Sequence, residues 1–146
     1  MNVSSVSPLP PEYTQKLMEL YAGAWWAKSR EISDVQRMLD STPVTIGLID
    51  DDAEALAAFA RVLTDDVYFA LILDVIVHPG YRGAGLGLVL MDTVLAHPRV
   101  SAVRSVELVC QPELVDFYRR CGFTDNVGTS LLMRRTNDAN FSRASS

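Results

Sequence analysis

Cysteine, histidine and tryptophan each occur only twice in the 146 residues, and no apolar run is long. The longest runs, such as Val67–Leu73, fall far short of the roughly 20 residues that span a bilayer. Cys110 and Cys121 follow no signal-like N-terminus, so they read as reduced thiols of a cytosolic protein. Cys110 closes an apolar strand and Cys121 lies on a helix face, which makes both core residues in preference to a catalytic thiol. His78 sits in a turn and His97 ends a helix; neither has the neighbours of a metal site or a catalytic triad, so no metal is expected. Basic residues are also scarce, with 13 Lys and Arg against 18 Asp and Glu for a net charge of −5. The chain has no basic stripe, which excludes an ordinary nucleic-acid binder and leans towards a cationic acceptor over an anionic one. The length suits one domain and not two, and there is no internal repeat, linker or low-complexity segment.

What is present centres on Leu71–Leu90, a β-branched apolar strand, a Pro-Gly turn, a glycine-punctuated loop and an apolar helix. Glycines this close together clear side chains from the backbone N–H groups. The helix that follows adds its own unpaired N–H groups and the positive end of its dipole. The combination is a pyrophosphate cradle. A P-loop would need Gly-Lys-Ser/Thr, and no lysine is near. A dinucleotide fingerprint counted from Gly83 and Gly85 would need a third glycine where Leu88 stands. What fits is Arg-x-x-Gly-x-Gly, read as Arg82, Gly85 and Gly87, with D-F-Y-R-R-C-G-F following at Asp116–Phe123. In these two elements the chain resembles the GCN5-related N-acetyltransferases (GNAT), whose acetyl-CoA loop is often written Q/R-x-x-G-x-G/A.

The remaining segments are consistent with that resemblance. Met1–Leu9 can supply an edge strand, and Pro10-Pro11 can open a helix with Tyr13, Leu17, Leu20, Tyr21 and Ala24 on one face. After Gly23–Arg30, Ser33 with Gln36 suggests a capping box for a second helix carrying Ile32, Val35 and Leu39. Strands are expected over Val44–Ile49, Ala55–Leu63 (which does not alternate cleanly) and Val67–Val77, with a hairpin turn at Thr64-Asp65-Asp66. The helix Leu86–Ala96 is apolar nearly all round and is expected to be buried. A strand over Val103–Cys110, a helix ended by Gly122, and a closing pair of strands at Phe123–Asn126 and Thr129–Arg135 complete the order. The expected fold is mixed α/β, a mostly antiparallel sheet flanked by helices as in the acyl-CoA N-acyltransferases. It would form one domain over residues 1–136, with a polar tail over 137–146.

The resemblance implies a role for particular residues. Val75, Ile76 and Val77 would offer main-chain groups to the pantetheine arm beside a strand that splays from its neighbour. Arg82, Gly83, Ala84, Gly85, Leu86 and Gly87 would hold the diphosphate, with Phe117 beside them. Tyr118 would protonate or hydrogen-bond the departing thiolate. Asp74, a carboxylate in an apolar strand, is a candidate base whose pKa burial would raise. Glucosamine-phosphate acetyltransferases of this fold carry an aspartate at the matching place. Strand alternation, however, puts Asp74 opposite Leu73 and Val75, and the sequence shows no bulge that would turn it back. A capping aspartate with proton loss through water stays open. Trp25, Trp26 and Arg30 are candidates for the acceptor pocket, with Tyr21 and Arg61 able to join them. The function expected is acetyl transfer from acetyl-CoA to a primary amine of a small molecule by direct attack in a ternary complex. A protein or peptide acetyltransferase, or a non-catalytic acyl-CoA-binding regulatory module, are the alternatives. No membrane or nucleic-acid partner is expected, and a homodimer is left open.

Overall fold

A computed structural model of the chain describes residues 1–141. Five strands form one sheet in the order β1 (Val3–Val6), β2 (Val44–Asp50), β3 (Ala55–Thr64), β4 (Phe69–Val77) and β5 (Ser105–Leu108). Neighbours are antiparallel up to β4, and β5 runs parallel to β4. This is the mixed α/β architecture expected from the sequence. Helices α1 (Thr14–Ala22) and α2 (Ile32–Ser41) cover one face. On the other lie α3 (Leu86–Ala96), the short α4 (Pro98–Ser101) and α5 (Val115–Arg120). No helix among the described residues is long and apolar enough to cross a membrane.

The central strands are buried on both faces, and this shapes their sequences. In β3, Ala57, Ala58, Ala60 and Val62 pack under α3, while Leu56 and Phe59 pack under α1 and α2. Leu48 faces Ala58 and Ile49 faces Leu56, so Ala57 is an extra residue in β3. That bulge is the physical reason for the broken alternation in its sequence. Alanines on the α3 side let that helix approach closely, and Leu86, Leu90, Met91 and Val94 fill the interface. The all-round burial expected of α3 does not hold, because Leu88 and Val89 are exposed. One face of the helix meets the sheet, and Leu88 and Val89 lie partly open to solvent on the other.

Three local expectations are corrected. Helix α2 starts at Ile32 with extended Glu31 at its N-cap and no side-chain cap, so Ser33 already lies inside the first turn and cannot close a capping box. The hairpin turn is longer than expected. Asp65 Oδ1 accepts from the backbone N–H groups of Val67, Tyr68 and Phe69, which delays β4 until Phe69. The closing strands at Phe123–Asn126 and Thr129–Arg135 are absent. Leu131, Leu132 and Met133 are consecutive, so neither side of an extended segment would be wholly apolar, and all three lie exposed. Of the expected tail, residues 142–146 fall outside the described residues. Phe141 packs against Trp25 with ring centres 5.8 Å apart.

Candidate active site

Pairing between β4 and β5 stops at Ile72 and Leu108. Beyond it, Leu73–Val77 keep β3 on one side and no strand on the other, which is the splay that the resemblance implied for Val75, Ile76 and Val77. The same stretch carries a second bulge. Phe59 faces Ile76 and Arg61 faces Leu73, leaving an extra residue in β4. Asp74 takes up the irregularity at φ 55°, a left-handed conformation that aspartate tolerates better than most residues. The bulge changes the alternation only before Asp74: Asp74 stays opposite Val75 as expected, but it no longer shares the face of Ile72, which packs towards α3. Asp74 turns to the α1–α2 side, where Ile76 and Phe59 lie, while Val75 and Val77 pack towards α3.

There Asp74 is the centre of a polar cluster. Its Oδ2 accepts from Tyr21 Oη at 2.8 Å, Arg30 Nη1 at 2.7 Å and Arg61 Nε at 2.6 Å. Arg30 Nη2 lies 3.4 Å from Oδ1. The Arg30 guanidinium also stacks 4.7 Å from the Tyr21 ring centre and 5.4 Å from that of Trp26. Burial by itself would lift the Asp74 carboxyl, but the hydrogen bonds and charges of Arg30 and Arg61 outweigh it and hold the carboxyl below its usual range. The expected rise is therefore reversed. Tyr21 is pushed the other way, first by burial and then by Asp74, so its phenol stays protonated and donates.

Downstream of the splay the loop is set by side chains that sequence reasoning did not pick out. Tyr81 Oη donates to Asp50 Oδ2 at 2.6 Å, tying the start of the loop to the end of β2. His78 Nδ1 accepts from Gly80 N and is edge-on to Tyr81, so this histidine caps a turn. The acidic run Asp50-Asp51-Asp52 at the end of β2 is the signal in the sequence that could reveal the tie to Tyr81. Gly83 and Gly85 follow at φ 84° and 77°, with Gly85 serving as the N-cap of α3. No acceptor among the described residues takes the N–H groups from Gly83 to Leu88, and the first helical bond is Val89 N to Gly85 O. A Cβ at Gly83 or Gly85 would meet no protein atom within 4 Å, so these glycines border open space. Bare donors at a helix N-terminus beside open space fit an anionic diphosphate. Gly87 serves packing: its Cβ would come within 3.1 Å of the Phe117 ring.

Tyr118 faces the core from α5, where a Schellman motif fixes it. Phe123 N donates to Tyr118 O and Gly122 N to Arg119 O, with Gly122 at φ 95° and the Phe123 ring edge-on to Tyr118. The ring is nearly buried, yet its hydroxyl has no hydrogen-bond partner among the described residues. Burial first, then the nearby Cys110 and Cys121, push the phenol up to about 12. Burial also pushes both thiols up, which keeps them protonated. Trp25 and Trp26 do not form one wall. Trp26 is edge-on to Tyr21 at 6.2 Å, whereas Trp25 is half exposed against Phe141, itself stacked under Arg134. Phe141 was hidden by its polar surroundings; a lone aromatic in such a tail is the signal that could have revealed it.

The chain is similar to known proteins in sequence and in fold. The chain is 33% identical over 110 residues to the uncharacterized N-acetyltransferase ycf52 of Porphyra purpurea, covering 74% of this chain and 63% of that protein. It is 33% identical over 111 residues to serotonin N-acetyltransferase 2, chloroplastic, of Oryza sativa, covering 73% and 54%. The chain thus spans less than two thirds of the length of these curated relatives. Among solved structures, an acetyltransferase of the GNAT family from Xanthomonas campestris superposes with a TM-score of 0.79 at 30% identity, covering 98% of this chain and 99% of that one. Glucosamine-6-phosphate N-acetyltransferase from Arabidopsis thaliana shares the fold, with a TM-score of 0.76 at 20% identity over 94% and 100% of the two chains. The Acetyltransferase (GNAT) family model matches residues 11–123. The chain belongs to the GNAT acetyltransferase family.

Proposed function

We propose that the protein transfers an acetyl group from acetyl-CoA to the primary amine of a small molecule, by direct attack in a ternary complex. The observation that carries this reading is the run of unpartnered N–H groups from Gly83 to Leu88 at the head of α3, on the strand that splays beside Asp74. Acetyl-CoA, when bound, supplies an activated acyl group as a thioester. The loop amides, the α3 dipole and Arg82 hold its diphosphate, and the free backbone of Val75–Val77 lines its arm. Holding two reactants in register can account for about 7–11 kcal/mol of a barrier.

Tyr118 is the chemical group on this side of the site. Its phenol is fully protonated at neutral pH, and no neighbour competes for its proton. The departing thiol is a stronger acid than this phenol, so complete proton transfer to the thiolate is uphill. Tyr118 therefore stabilises the departing thiolate as a hydrogen-bond donor, and solvent supplies the final proton. Asp74, ionised and engaged by Tyr21, Arg30 and Arg61, orients that cluster, and the acceptor ammonium loses its proton through water. Tyr21, Trp26 and Arg30 line the acceptor side. The reading includes a cytosolic setting for the two protonated thiols. It also includes a homodimer that covers the exposed Leu131, Leu132 and Met133. Sedimentation at micromolar concentration checks the dimer.

The direct test is thiol release from acetyl-CoA across a panel of small amines and peptides that includes serotonin, the amine in the name of the rice relative. Release with a small amine supports the reading, and release with peptides alone favours a protein acetyltransferase. Acetyl-CoA binding without release on any amine or peptide favours a regulatory module.

A further inference from the structure

The cluster around Asp74 does not balance in charge. Arg30 and Arg61 bring two guanidinium groups to one carboxylate, and no second carboxylate among the described residues lies within ion-pair distance of either. Their side chains are 26% and 15% exposed, and that of Asp74 is 5% exposed, so the surplus positive charge is only partly hydrated. A guanidinium withdrawn from water without a counter-charge is costly. Arg30 offsets part of that cost through two donors on Asp74 and two aromatic faces. Arg61 has less support. It spends Nε on Asp74, and its Nη1 and Nη2 meet no acceptor among the described residues. No fully buried side-chain nitrogen among the described residues lacks a partner, so these two atoms border accessible space. The pair is a planar fork of donors beside the bulge of β4, where the acceptor side meets the splay.

We infer that the acceptor is an amine bearing an oxyanion, a carboxylate or a phosphate, which docks on the free Nη1–Nη2 edge of Arg61 while Arg30 adds its charge. The inference rests on the acetyltransferase reading above and narrows its substrate. A guanidinium fork matches the two oxygens of such a group bidentately, with a geometry that an ammonium lacks. Asp74 then has a definite positioning role, because it holds Arg61 by Nε and so turns the opposite edge of the fork outwards. The local excess of positive charge runs against the net charge of −5, which makes the preference a property of this cluster and not of the protein's overall field.

The test compares matched amines that differ only in the anion: 4-aminobutyrate with its amide, and O-phosphoethanolamine with ethanolamine. Acetylation of each is followed by thiol release, and binding of inorganic phosphate and of N-acetylglycine is measured separately by calorimetry. One anionic member should exceed its neutral partner about tenfold or more in kcat/KM, and which pair shows it separates carboxylate from phosphate. Arg61→Lys keeps a cation on Asp74 but removes the fork. It should raise KM for the anionic amine about tenfold, bring the ratio within each pair close to one, and leave the KM for acetyl-CoA unchanged. Its melting temperature and acetyl-CoA binding show whether it is folded. Equal rates within both pairs, with no Arg61-dependent binding of phosphate or N-acetylglycine, would overturn the inference while leaving the acetyltransferase reading intact. Arg61-dependent anion binding with no thiol release on any amine would overturn the acetyltransferase reading, and with it the acceptor amine, and leave only an anion site at Arg61.

Discussion

From Gly83 to Leu88 the backbone N–H groups have no acceptor among the described residues, whereas at Asp74 a single carboxylate oxygen takes Tyr21, Arg30 and Arg61 together. One side of the site is bare backbone prepared for an anion that arrives from outside. The other is side chains gathered on one anion inside the protein, with an edge of the Arg61 guanidinium left over. The first gains its grip from what glycine removes, and so tolerates little added bulk. The second gains its geometry from mutual pairing, and so should fail as a unit when one member is lost.

This contrast makes graded predictions. The largest effect is expected at Gly85. Gly85→Val puts a β-branched residue at φ 77° and fills the open space beside the amides, so acetyl-CoA affinity should fall about 100-fold by calorimetry. An unchanged affinity would detach the loop from the cofactor. Next is Asp74→Asn, which leaves two guanidinium groups without their carboxylate. Because both are partly exposed, the loss should be about 2 kcal/mol in denaturant unfolding, below the roughly 3–5 kcal/mol typical of fully buried pairs. Tyr118→Phe should lower turnover about tenfold or more while acetyl-CoA affinity and melting temperature stay put, since the hydroxyl has no partner among the described residues to lose. Unaltered turnover, measured where chemistry limits the rate, would remove the phenol from the mechanism. Gly87→Ala presses on the partly buried Phe117 ring at 3.1 Å, while alanine gains about 1 kcal/mol over glycine inside a helix, so stability should change by less than about 1 kcal/mol, with a smaller effect on affinity than Gly85→Val.

Acid sharpens the second of these. The folded Asp74 carboxyl titrates below its ordinary 3.8, so its contribution is fully present above that value and is lost as pH falls through the folded one. The stability gap between wild type and Asp74→Asn should therefore be constant from about pH 6 to 8 and close only below about pH 4. A gap that already closes near pH 6 would mean that the carboxyl is raised, as burial alone would make it.

The same contrast decides what could be read from the sequence. Glycine positions are themselves the signal for a backbone cradle, so the loop, helix α3 and the Tyr118–Gly122 helix end were legible from spacing alone. The acceptor cluster joins residues 13 to 53 positions apart through a bulge, and no local pattern announces a bulge. Alternation counted from Ile72 to Asp74 gave the wrong face for that reason. The clue was a charged residue in an apolar strand, which has to find partners somewhere. The closing strands failed for a different reason: the apolar run Leu131–Met133 has neither the β-branched residues of a strand nor the alternation that would give it a face to bury.

The central claim is that the amides from Gly83 to Leu88 hold a diphosphate and thereby bring a thioester sulfur to Tyr118. A crystal structure with CoA bound tests it most directly. Phosphate oxygens are expected about 2.7–3.1 Å from those nitrogens, with the sulfur within hydrogen-bond reach of the Tyr118 hydroxyl. CoA bound elsewhere with the loop empty, or with its sulfur turned away from the phenol, would contradict it.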